Sequence, residues 1–170
     1  METVFHYDSP LGGMTMAGRG DALTGLWFDG QKYFMSGLTG KEEEKLLPVF
    51  GETINWLDKY FAGLATPPVP KTAPRGTPYQ KALWDVLSSI PYGGTMTYKE
   101  AALETARRMD RKPCPRAAGS AAGRNPILII IPCHRLIASD GSMGGYAAGV
   151  DRKIKLLEAE RRARWDISAR

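Results

Sequence analysis

The most informative stretch of the sequence is Asn125-Pro126-Ile127-Leu128-Ile129-Ile130-Ile131-Pro132-Cys133-His134-Arg135. Its five consecutive aliphatic residues, 127–131, are typical of a fully buried strand or extended segment. The run ends at Cys133, beside a histidine and an arginine. Because basic neighbours stabilise a thiolate, the pattern predicts a reactive cysteine. Adjacent side chains of an extended chain point to opposite faces, so Cys133 and His134 would need a tight turn or a bridging water to cooperate.

Downstream of this stretch, a glycine-rich loop and a last helix follow. The loop, 139–146, could wrap a ligand or form a hairpin turn, and it contains no phosphate-binding pattern. On a helical wheel Glu160 falls between Leu156 and Leu157, so its carboxylate points with the apolar face. A buried carboxylate needs a partner, and a histidine is a natural one.

Upstream, two capped helices precede a short helix of small residues. Thr77-Pro78-Tyr79-Gln80 and Thr97-Tyr98-Lys99-Glu100 each form a capping box, and the second opens a helix to about Arg108. The short helix is predicted at Pro115–Gly123, where small side chains would let its backbone approach another surface closely. This arrangement indicates a helix-turn-helix on DNA or a plain helical hairpin.

The N-terminal half has the pattern of a small α/β domain. Three strand-like segments separated by turn sequences, at 3–7, 14–17 and 23–28, predict an antiparallel meander. A helix is predicted at Pro48–Phe61, where apolar residues recur at helical spacing: Phe50, Ile54, Leu57 and Phe61. The predicted fold is thus an α/β domain of antiparallel sheet plus helix at 1–66 and a proline-rich linker at 67–76. A mainly helical domain with a winged-helix-like helix-turn-helix follows at 77–170.

Composition and charge restrict the class of protein. Of 170 residues, 43% are hydrophobic and 24% charged, which excludes a disordered or fibrous chain. No apolar run approaches the roughly 20 residues of a membrane span, and the N-terminus lacks the pattern of a signal peptide. We therefore expect a cytoplasmic protein that does not contact a membrane. Residues 1–66 hold 5 basic and 9 acidic residues, whereas 67–170 hold 18 and 9. That asymmetry indicates either a nucleic-acid partner or a solvated basic face.

The two cysteines, Cys114 and Cys133, are too few for a disulfide scaffold or a four-cysteine zinc site. Neighbouring Cys and His residues seldom bind one metal ion, and the sequence contains no other Cys/His cluster. We expect no metal and no cofactor, and we interpret Cys114 as a bystander thiol.

These motifs resemble those of the O6-alkylguanine-DNA alkyltransferases, also called methylated-DNA–protein-cysteine methyltransferases. The likeness covers about 79–160, and it is carried by Ile90-Pro91-Tyr92-Gly93, Thr97-Tyr98, Asn125-Pro126, Pro132-Cys133-His134-Arg135, Gly144-Gly145-Tyr146 and Leu156-Leu157-Glu158-Ala159-Glu160. Over the N-terminal half it is weaker and rests on Ser9-Pro10-Leu11-Gly12 and the strand-rich start.

The resemblance implies direct DNA repair by a monomer that binds double-stranded DNA. The protein would flip an O6-alkylguanine out of the stack and move the alkyl group irreversibly to Cys133, so each molecule acts once. O4-alkylthymine is a possible second substrate. The family pattern implies that His134 accepts the thiol proton through a water, and that Glu160 holds His134. Tyr98 would donate to the departing base, and Asn125 would tie the turn around the cysteine.

The resemblance also implies a DNA interface and a base pocket. Arg116 would enter the stack in place of the flipped base, and the segment 117–123 would lie against the minor groove. The predicted DNA contacts are Arg116, Ala117, Ser120, Gly123, Arg124 and Arg135. The predicted pocket residues are Leu136, Met143, Tyr146 and Ala147.

Two features depart from the family pattern. The interval from Tyr98 to Arg116 is 18 positions, a few more than in compact members, and the extra stretch lengthens the helix or adds phosphate contacts. Ala147 stands where some relatives carry a hydroxyl residue, so a pocket hydrogen bond would come from the backbone.

Three other functions fit parts of the pattern. A non-catalytic lesion-binding protein would lack the cysteine, which is present here. A Cys-His-Glu hydrolase would form a transient acyl-enzyme rather than a stable thioether. A transcription regulator would bind undamaged DNA sequence-specifically, for which a helix of small residues offers few base contacts.

Overall fold

The computed structural model of the protein describes residues 1–168, with side chains described up to residue 163. Contacts divide the chain into two compact units: Met1–Arg75 with Pro126–Leu128, and Gly76–Asn125 with Ile129–Arg170. The C-terminal domain predicted from the sequence runs to residue 170, and its last two residues lie outside the described part. No helix of the described part has the length and apolar composition to cross a bilayer.

The first unit is built on the antiparallel meander that the sequence predicts. Its strands are β1 (Thr3–Ser9), β2 (Gly12–Arg19) and β3 (Ala22–Phe28). A two-residue strand, β4 (Glu43–Glu44), adds parallel to β1 and completes the order β3-β2-β1-β4. Gly12 and Gly20 adopt φ values of 123° and 61° in the two connecting turns, a left-handed conformation that glycine adopts without strain.

Helix α1 (Pro48–Phe61) packs on this sheet and has the predicted bounds. Its buried face comprises Val49, Phe50, Thr53, Trp56, Leu57 and Tyr60. Phe50 stacks on Phe5 of β1 with ring centroids 6.2 Å apart. Ile54 and Phe61 are half-buried, because the face is centred on the Phe50–Leu57 line rather than on all four predicted positions.

Part of the segment predicted as a linker pairs with β3. The Leu23 N–H donates to the Lys71 carbonyl and the Ala73 N–H donates to the Leu23 carbonyl, both at 2.8 Å. Residues 71–73 are therefore held on the edge of the sheet. A second peptide segment joins the same strand, because the Leu26 N–H donates to the Pro126 carbonyl at 2.8 Å.

The aliphatic run 127–131 is buried, as predicted, but it forms neither the strand nor the extended segment that the pattern predicts. Ile127 alone forms a β-bridge, to Leu26 of β3, and residues 128–130 form a turn in which Ile129 has φ of 69°. The chain passes from the first unit to the second at this turn. A continuous apolar run indicates that the segment is buried. It has no periodicity, so it does not distinguish a buried turn from a buried strand.

The second unit is mainly helical, as predicted. Its helices are α2 (Pro78–Ser88), α3 (Tyr98–Met109), α4 (Pro115–Gly123) and α5 (Val150–Ser168), and the two-residue strands β5 (Met96–Thr97) and β6 (Leu136–Ile137) pair in parallel. Thr77 and Gln80 form the predicted reciprocal capping box of α2. At α3 the Thr97 side chain accepts from the Glu100 N–H, but its hydroxyl donates to the Glu100 carboxylate, so the second box is half complete.

Helices α3 and α4 pack against each other and are joined by a short connection, the order of elements predicted for a helix-turn-helix. Asp110 ends α3 in a left-handed conformation with φ of 52°, and α4 begins five residues later, at Pro115. One side of α4, carrying Ala118, Ala121 and Ala122, is buried, and the indole N–H of Trp84 in α2 donates to the Ala121 carbonyl at 2.9 Å. Small residues therefore let α4 lie close to α2 and α3 while its other side stays exposed.

Candidate active site

Cys133 lies at the start of a single 3-10 turn, Cys133–Arg135, which follows Pro132. The Asn125 side-chain amide donates to the Ile131 carbonyl at 2.7 Å, and the Cys133 N–H donates to the same carbonyl at 2.8 Å. Asn125 is itself buried. Its side chain therefore fixes the turn from inside, in the place that the family resemblance implies.

The Cys133 thiol is buried, and burial affects its protonation state. Burial raises the pKa of Cys133 to about 11, although a hydrogen bond from Asn125 and the positive charge of Lys153 act in the opposite direction. Desolvation outweighs the effect of the basic neighbours that the sequence places beside Cys133, so burial favours the thiol over the thiolate. A base must take its proton before it can act as a nucleophile.

His134 and Glu160 form a buried pair beside this thiol. The Nε2 atom of His134 lies 2.6 Å from Oε2 of Glu160, and both side chains are at most 1% exposed. Burial opposes ionisation of Glu160, but hydrogen bonds from His134 and Arg135 outweigh it and lower the pKa of Glu160 to about 2. The carboxylate is thus charged at neutral pH, and Nε2–H of His134 donates to it.

The second ring nitrogen of His134 remains to act as an acceptor. Burial lowers the pKa of His134, against the opposing effect of Glu160, so the ring is neutral at neutral pH. With the proton on Nε2, Nδ1 carries a lone pair, and it is buried without a protein hydrogen-bond partner among the described residues. This nitrogen has the protonation state that a general base requires.

Arg135 is placed differently from its prediction as a DNA contact. Its guanidinium donates to both oxygens of Glu160, at 2.8 and 3.1 Å, and to the Ile90 carbonyl at 2.8 Å. It also lies 5.7 Å from the centre of the Tyr92 ring. The side chain is buried, so the prediction is wrong: the ion pair with Glu160 holds the guanidinium inside the unit.

Tyr98, the first residue of α3, lies between two glycines. A Cβ atom on Gly144 would be 2.5 Å from the Tyr98 hydroxyl oxygen, and a Cβ on Gly119 would be 3.6 Å from the ring. Burial raises the pKa of Tyr98, and a hydrogen bond with the Gly145 backbone acts in the opposite direction. Tyr98 therefore keeps its proton at neutral pH and touches the glycine-rich loop.

The predicted pocket residues all lie on β6 or on the loop that follows it. Leu136 is fully buried, and Met143, Tyr146 and Ala147 are half-buried. The Tyr146 ring meets His134 edge to face, with centroids 6.5 Å apart, and burial raises the pKa of Tyr146 well above its usual value. The loop and the cysteine-bearing turn thus belong to one site.

Sequence reasoning missed one residue of this site, Lys153. Its side chain is fully buried, and burial lowers its pKa to about 8. The ammonium donates to three main-chain carbonyls, of Leu136, Met143 and Gly145. A signal was present, because Lys153 precedes Leu156 by three positions and Glu160 by seven, a spacing that places all three on one helix face.

The predicted DNA contacts on α4 are accessible. Arg116, Ser120 and Arg124 are exposed, and Ala117 and Gly123 are half-buried. In the basic segment that leads to them, Arg107 and Arg108 bind Glu104, at 2.6 and 3.0 Å. Arg111 lies 4.9 Å above the Tyr79 ring, so the longer connection between α3 and α4 rests on α2.

The structure shows no group of three His, Cys, Asp or Glu side chains that could hold a metal ion among the residues it describes. Cys114 is exposed, at the N-cap of α4.

Comparison with known proteins covers both units. The family model described as 6-O-methylguanine DNA methyltransferase, DNA binding domain, matches residues 78–162, and the model for the ribonuclease-like domain of the same protein matches residues 5–67. Methylated-DNA–protein-cysteine methyltransferases of Mycobacterium leprae and Methanosarcina barkeri are 40% and 42% identical over 154 residues. These alignments cover 91% and 90% of this chain, and 89% and 93% of the relatives.

Solved structures agree with the sequence relatives. The crystal structure of Mycobacterium tuberculosis O6-methylguanine methyltransferase has a TM-score of 0.82 and 37% identity, over 96% of this chain and 94% of that one. The Mycobacterium tuberculosis OGT in complex with DNA has a TM-score of 0.81 and 36% identity, over 95% and 94%. Since the family models, the relatives and the buried Cys133 turn agree, the chain belongs to the 6-O-methylguanine DNA methyltransferase family.

Proposed function

We propose that this protein repairs O6-alkylguanine in double-stranded DNA by moving the alkyl group to the Cys133 sulfur, once per molecule. The observation that carries the proposal is the buried Cys133 turn beside a neutral His134 whose Nε2 is held by Glu160 at 2.6 Å. The arrangement supplies what the reaction needs: a nucleophile, a base for its proton and a fixed tautomer of that base.

The chemistry follows from these protonation states. The thiol proton passes through a water to Nδ1 of His134 while the sulfur attacks the alkyl carbon. The bond between that carbon and O6 breaks, the electron pair stays with guanine, and the Tyr98 hydroxyl protonates the departing base. His134 then loses its proton to solvent and Tyr98 regains one, which leaves a stable thioether and an unmodified guanine.

Glu160 has two functions in this scheme. Its negative charge stabilises the imidazolium that forms when His134 takes the thiol proton, and its hydrogen bond keeps the proton off Nδ1 beforehand. Arg135 holds Glu160 in place from the other side through its two hydrogen bonds to the carboxylate.

The exposed side of α4 is the proposed DNA interface. Arg116 would fill the gap left by the flipped base, and Ala117, Ser120 and Gly123 would lie in the minor groove, where small side chains permit close approach. Extruding a base costs a few kcal/mol, and phosphate contacts from Arg124 and neighbouring basic residues would offset that cost. The flipped base would enter the pocket of Leu136, Met143, Tyr146 and Ala147.

The proposal extends to the remaining expectations from the sequence. The protein would act as a monomer in the cytoplasm, where it meets DNA. O4-alkylthymine is the second substrate to compare with O6-alkylguanine in the same transfer assay.

Intact-protein mass spectrometry tests the proposal after incubation with a duplex that contains a single O6-methylguanine. We expect a gain of one methyl group per protein, lost in Cys133→Ser and kept in Cys114→Ser, which removes the exposed thiol. A stable gain that maps to another residue, or no gain at all, would overturn it. Tight lesion binding without transfer would instead identify a damage-binding protein.

A further inference from the structure

Lys153 is a buried cation whose hydrogen-bond acceptors are main-chain carbonyl oxygens. Its ammonium donates to Leu136 at 2.5 Å, to Gly145 at 3.1 Å and to Met143. An ammonium has three N–H groups, so these three bonds use all of them. Leu136 begins the strand directly after the cysteine-bearing turn, whereas Met143 and Gly145 belong to the glycine-rich loop.

Burying the Lys153 ammonium costs free energy, which its hydrogen bonds only partly offset. A buried lysine at this position therefore indicates that these bonds have a role. An ammonium loses its hydration on burial, and the lowered pKa of Lys153 reports that loss. A methionine of similar length would fill the same volume without the cost. The bonds of Lys153, however, join β6 to a loop whose own backbone bonds, in the described chain, are local. They run from the Ala138 N–H to the Ser142 carbonyl, from the Gly141 N–H to the Ala138 carbonyl and from the Gly149 N–H to the Tyr146 carbonyl.

We propose that Lys153 is a positioning residue that fixes the longer loop 138–149, which contains the glycine-rich stretch 139–146, at a set distance from β6 and Cys133. The inference rests on the proposed function for its consequence in catalysis, because that loop carries three of the four proposed pocket residues. The fixed loop in turn fixes Tyr98, since Gly144 lies against the Tyr98 hydroxyl and the Lys153 ammonium lies 5.7 Å from the ring centre.

The position of Lys153 separates its effect from DNA binding. The helix-turn-helix presents Arg116, Ser120 and Arg124 from α4, whereas Lys153 projects from the first turn of α5 toward β6 and the loop. Loss of its ammonium would therefore slow transfer from the bound lesion, while the phosphate contacts that set DNA affinity remain.

The test compares Lys153→Met and Lys153→Gln with Lys155→Met. Lys155 lies two residues along the same helix and is exposed, so its replacement removes the same charge without touching the loop. Gln keeps a neutral donor on a shorter side chain, and Met keeps none. Circular dichroism and thermal unfolding establish the folded fraction of each variant, and every rate is expressed per folded molecule.

Amide hydrogen exchange on the free proteins is the first readout, and it requires no DNA. We expect loop amides in 138–149 to exchange about 10-fold faster or more in Lys153→Met, because the loop loses its hydrogen bonds to a charged donor, which are stronger than bonds between neutral groups. Lys153→Gln should fall between, and Lys155→Met should match the wild type. Unchanged exchange in the loop of Lys153→Met would overturn the proposal.

Single-turnover transfer and lesion-duplex affinity, measured separately, are the second readout. In Lys153→Met we expect the transfer rate constant to fall about 10- to 100-fold, because misplaced reacting groups cost that much. The Kd should change less than about threefold, because phosphate contacts dominate affinity. An equal loss in both quantities would contradict a positioning role. If the wild type transfers no alkyl group, the proposed function fails, whereas the exchange result still decides the loop contact.

Discussion

The two units bury different kinds of polar residue. In the described part of the first unit the buried polar side chains are uncharged: Thr15, Thr24, Gln31 and Thr53. In the second unit they include His134, Arg135, Lys153 and Glu160, with Asn125 and Thr105. Both units have buried apolar cores, so the difference between them lies in the buried charges.

A buried ion is costly, and well-packed apolar residues in its place are often at least as stabilising. The first unit follows that rule with a plain apolar core around β2, β3 and α1. The second unit departs from it around Cys133, where each buried charge has hydrogen-bond partners. The contrast indicates that the second unit carries the chemistry and that the first supports the fold.

Breaking the Glu160 network should have the largest effect. Glu160→Gln leaves Arg135 buried without its carboxylate, so we expect a loss of about 3–5 kcal/mol in the free energy of unfolding. Because His134 also loses the charge that favours its protonated form, transfer should slow about 100- to 1,000-fold per folded molecule. Urea unfolding and single-turnover transfer measure the two effects.

Glu158→Gln is the matched control for this prediction. Glu158 is an exposed residue of the same helix, and its variant should resemble the wild type in both assays. A fully active Glu160→Gln protein would show that the buried network is structural, and the contrast between the units would then lose its functional meaning.

A core truncation in the first unit should lower stability and leave the transfer rate unchanged. Leu57 is fully buried in α1, so Leu57→Ala should cost about 2–5 kcal/mol of stability through the cavity it leaves. The transfer rate per folded molecule should stay at the wild-type value. Ile54→Ala, on the half-buried edge of the same helix, should cost clearly less. A rate defect in Leu57→Ala would show that the first unit takes part in the reaction.

Lowering the pH should destabilise the protein through protonation of the buried Glu160. The pKa of Glu160 is lowered from 4.5 to about 2, so the folded state binds its proton less readily than the unfolded state. The resulting stability is present above pH 4.5 and is lost as the pH falls toward 2, a change of about 3 kcal/mol. His134, whose pKa is also lowered, changes stability in the same direction.

The comparison of wild type with Glu160→Gln isolates this effect. Among the described residues, three other carboxylates have a lowered pKa: Glu42, which accepts hydrogen bonds from Thr39 and Gly40, Glu104 in a surface ion pair, and the exposed Asp140. All three are present in both proteins. Urea unfolding at several pH values below 4.5, where the histidines of the unfolded chain are already protonated in both proteins, should therefore show a steeper acid loss in the wild type. Parallel losses in the two proteins would place the acid sensitivity elsewhere.

Local sequence patterns predicted most of the secondary structure. The bounds of α1 and α4 and the capping box at Thr77 follow from apolar spacing and cap residues, which act within one turn of helix. The turn at Ile129 was not predicted, because a continuous apolar run has no periodicity and so does not indicate which backbone conformation the buried segment adopts. β4 was missed because its two acidic residues carry no strand signal, and only pairing with β1 makes them a strand.

The site was predictable where a motif and a helix face agreed. The Cys133 motif identified the cysteine and His134, and the helical spacing of Leu156, Leu157 and Glu160 predicted that the Glu160 carboxylate faces the apolar interior. Arg135 and Lys153 were misjudged because a basic residue is usually exposed. Their burial depends on partners distant in sequence, namely Glu160 for Arg135 and the carbonyls of Leu136, Met143 and Gly145 for Lys153.

The smallest expected effect concerns the surface of the second unit. Arg116 is exposed on α4, so Arg116→Ala should leave stability within about 0.5 kcal/mol of the wild type. If Arg116 fills the gap left by the flipped base, affinity for the lesion duplex should fall about 10-fold, or about 1.4 kcal/mol.

Arg107→Ala removes an arginine that already binds Glu104, so its effect on affinity should be smaller. Fluorescence anisotropy with lesion and undamaged duplexes separates a specific loss from a uniform one. A uniform loss in Arg116→Ala would make Arg116 a phosphate contact, because a residue that replaces a flipped base should matter most when a base is flipped.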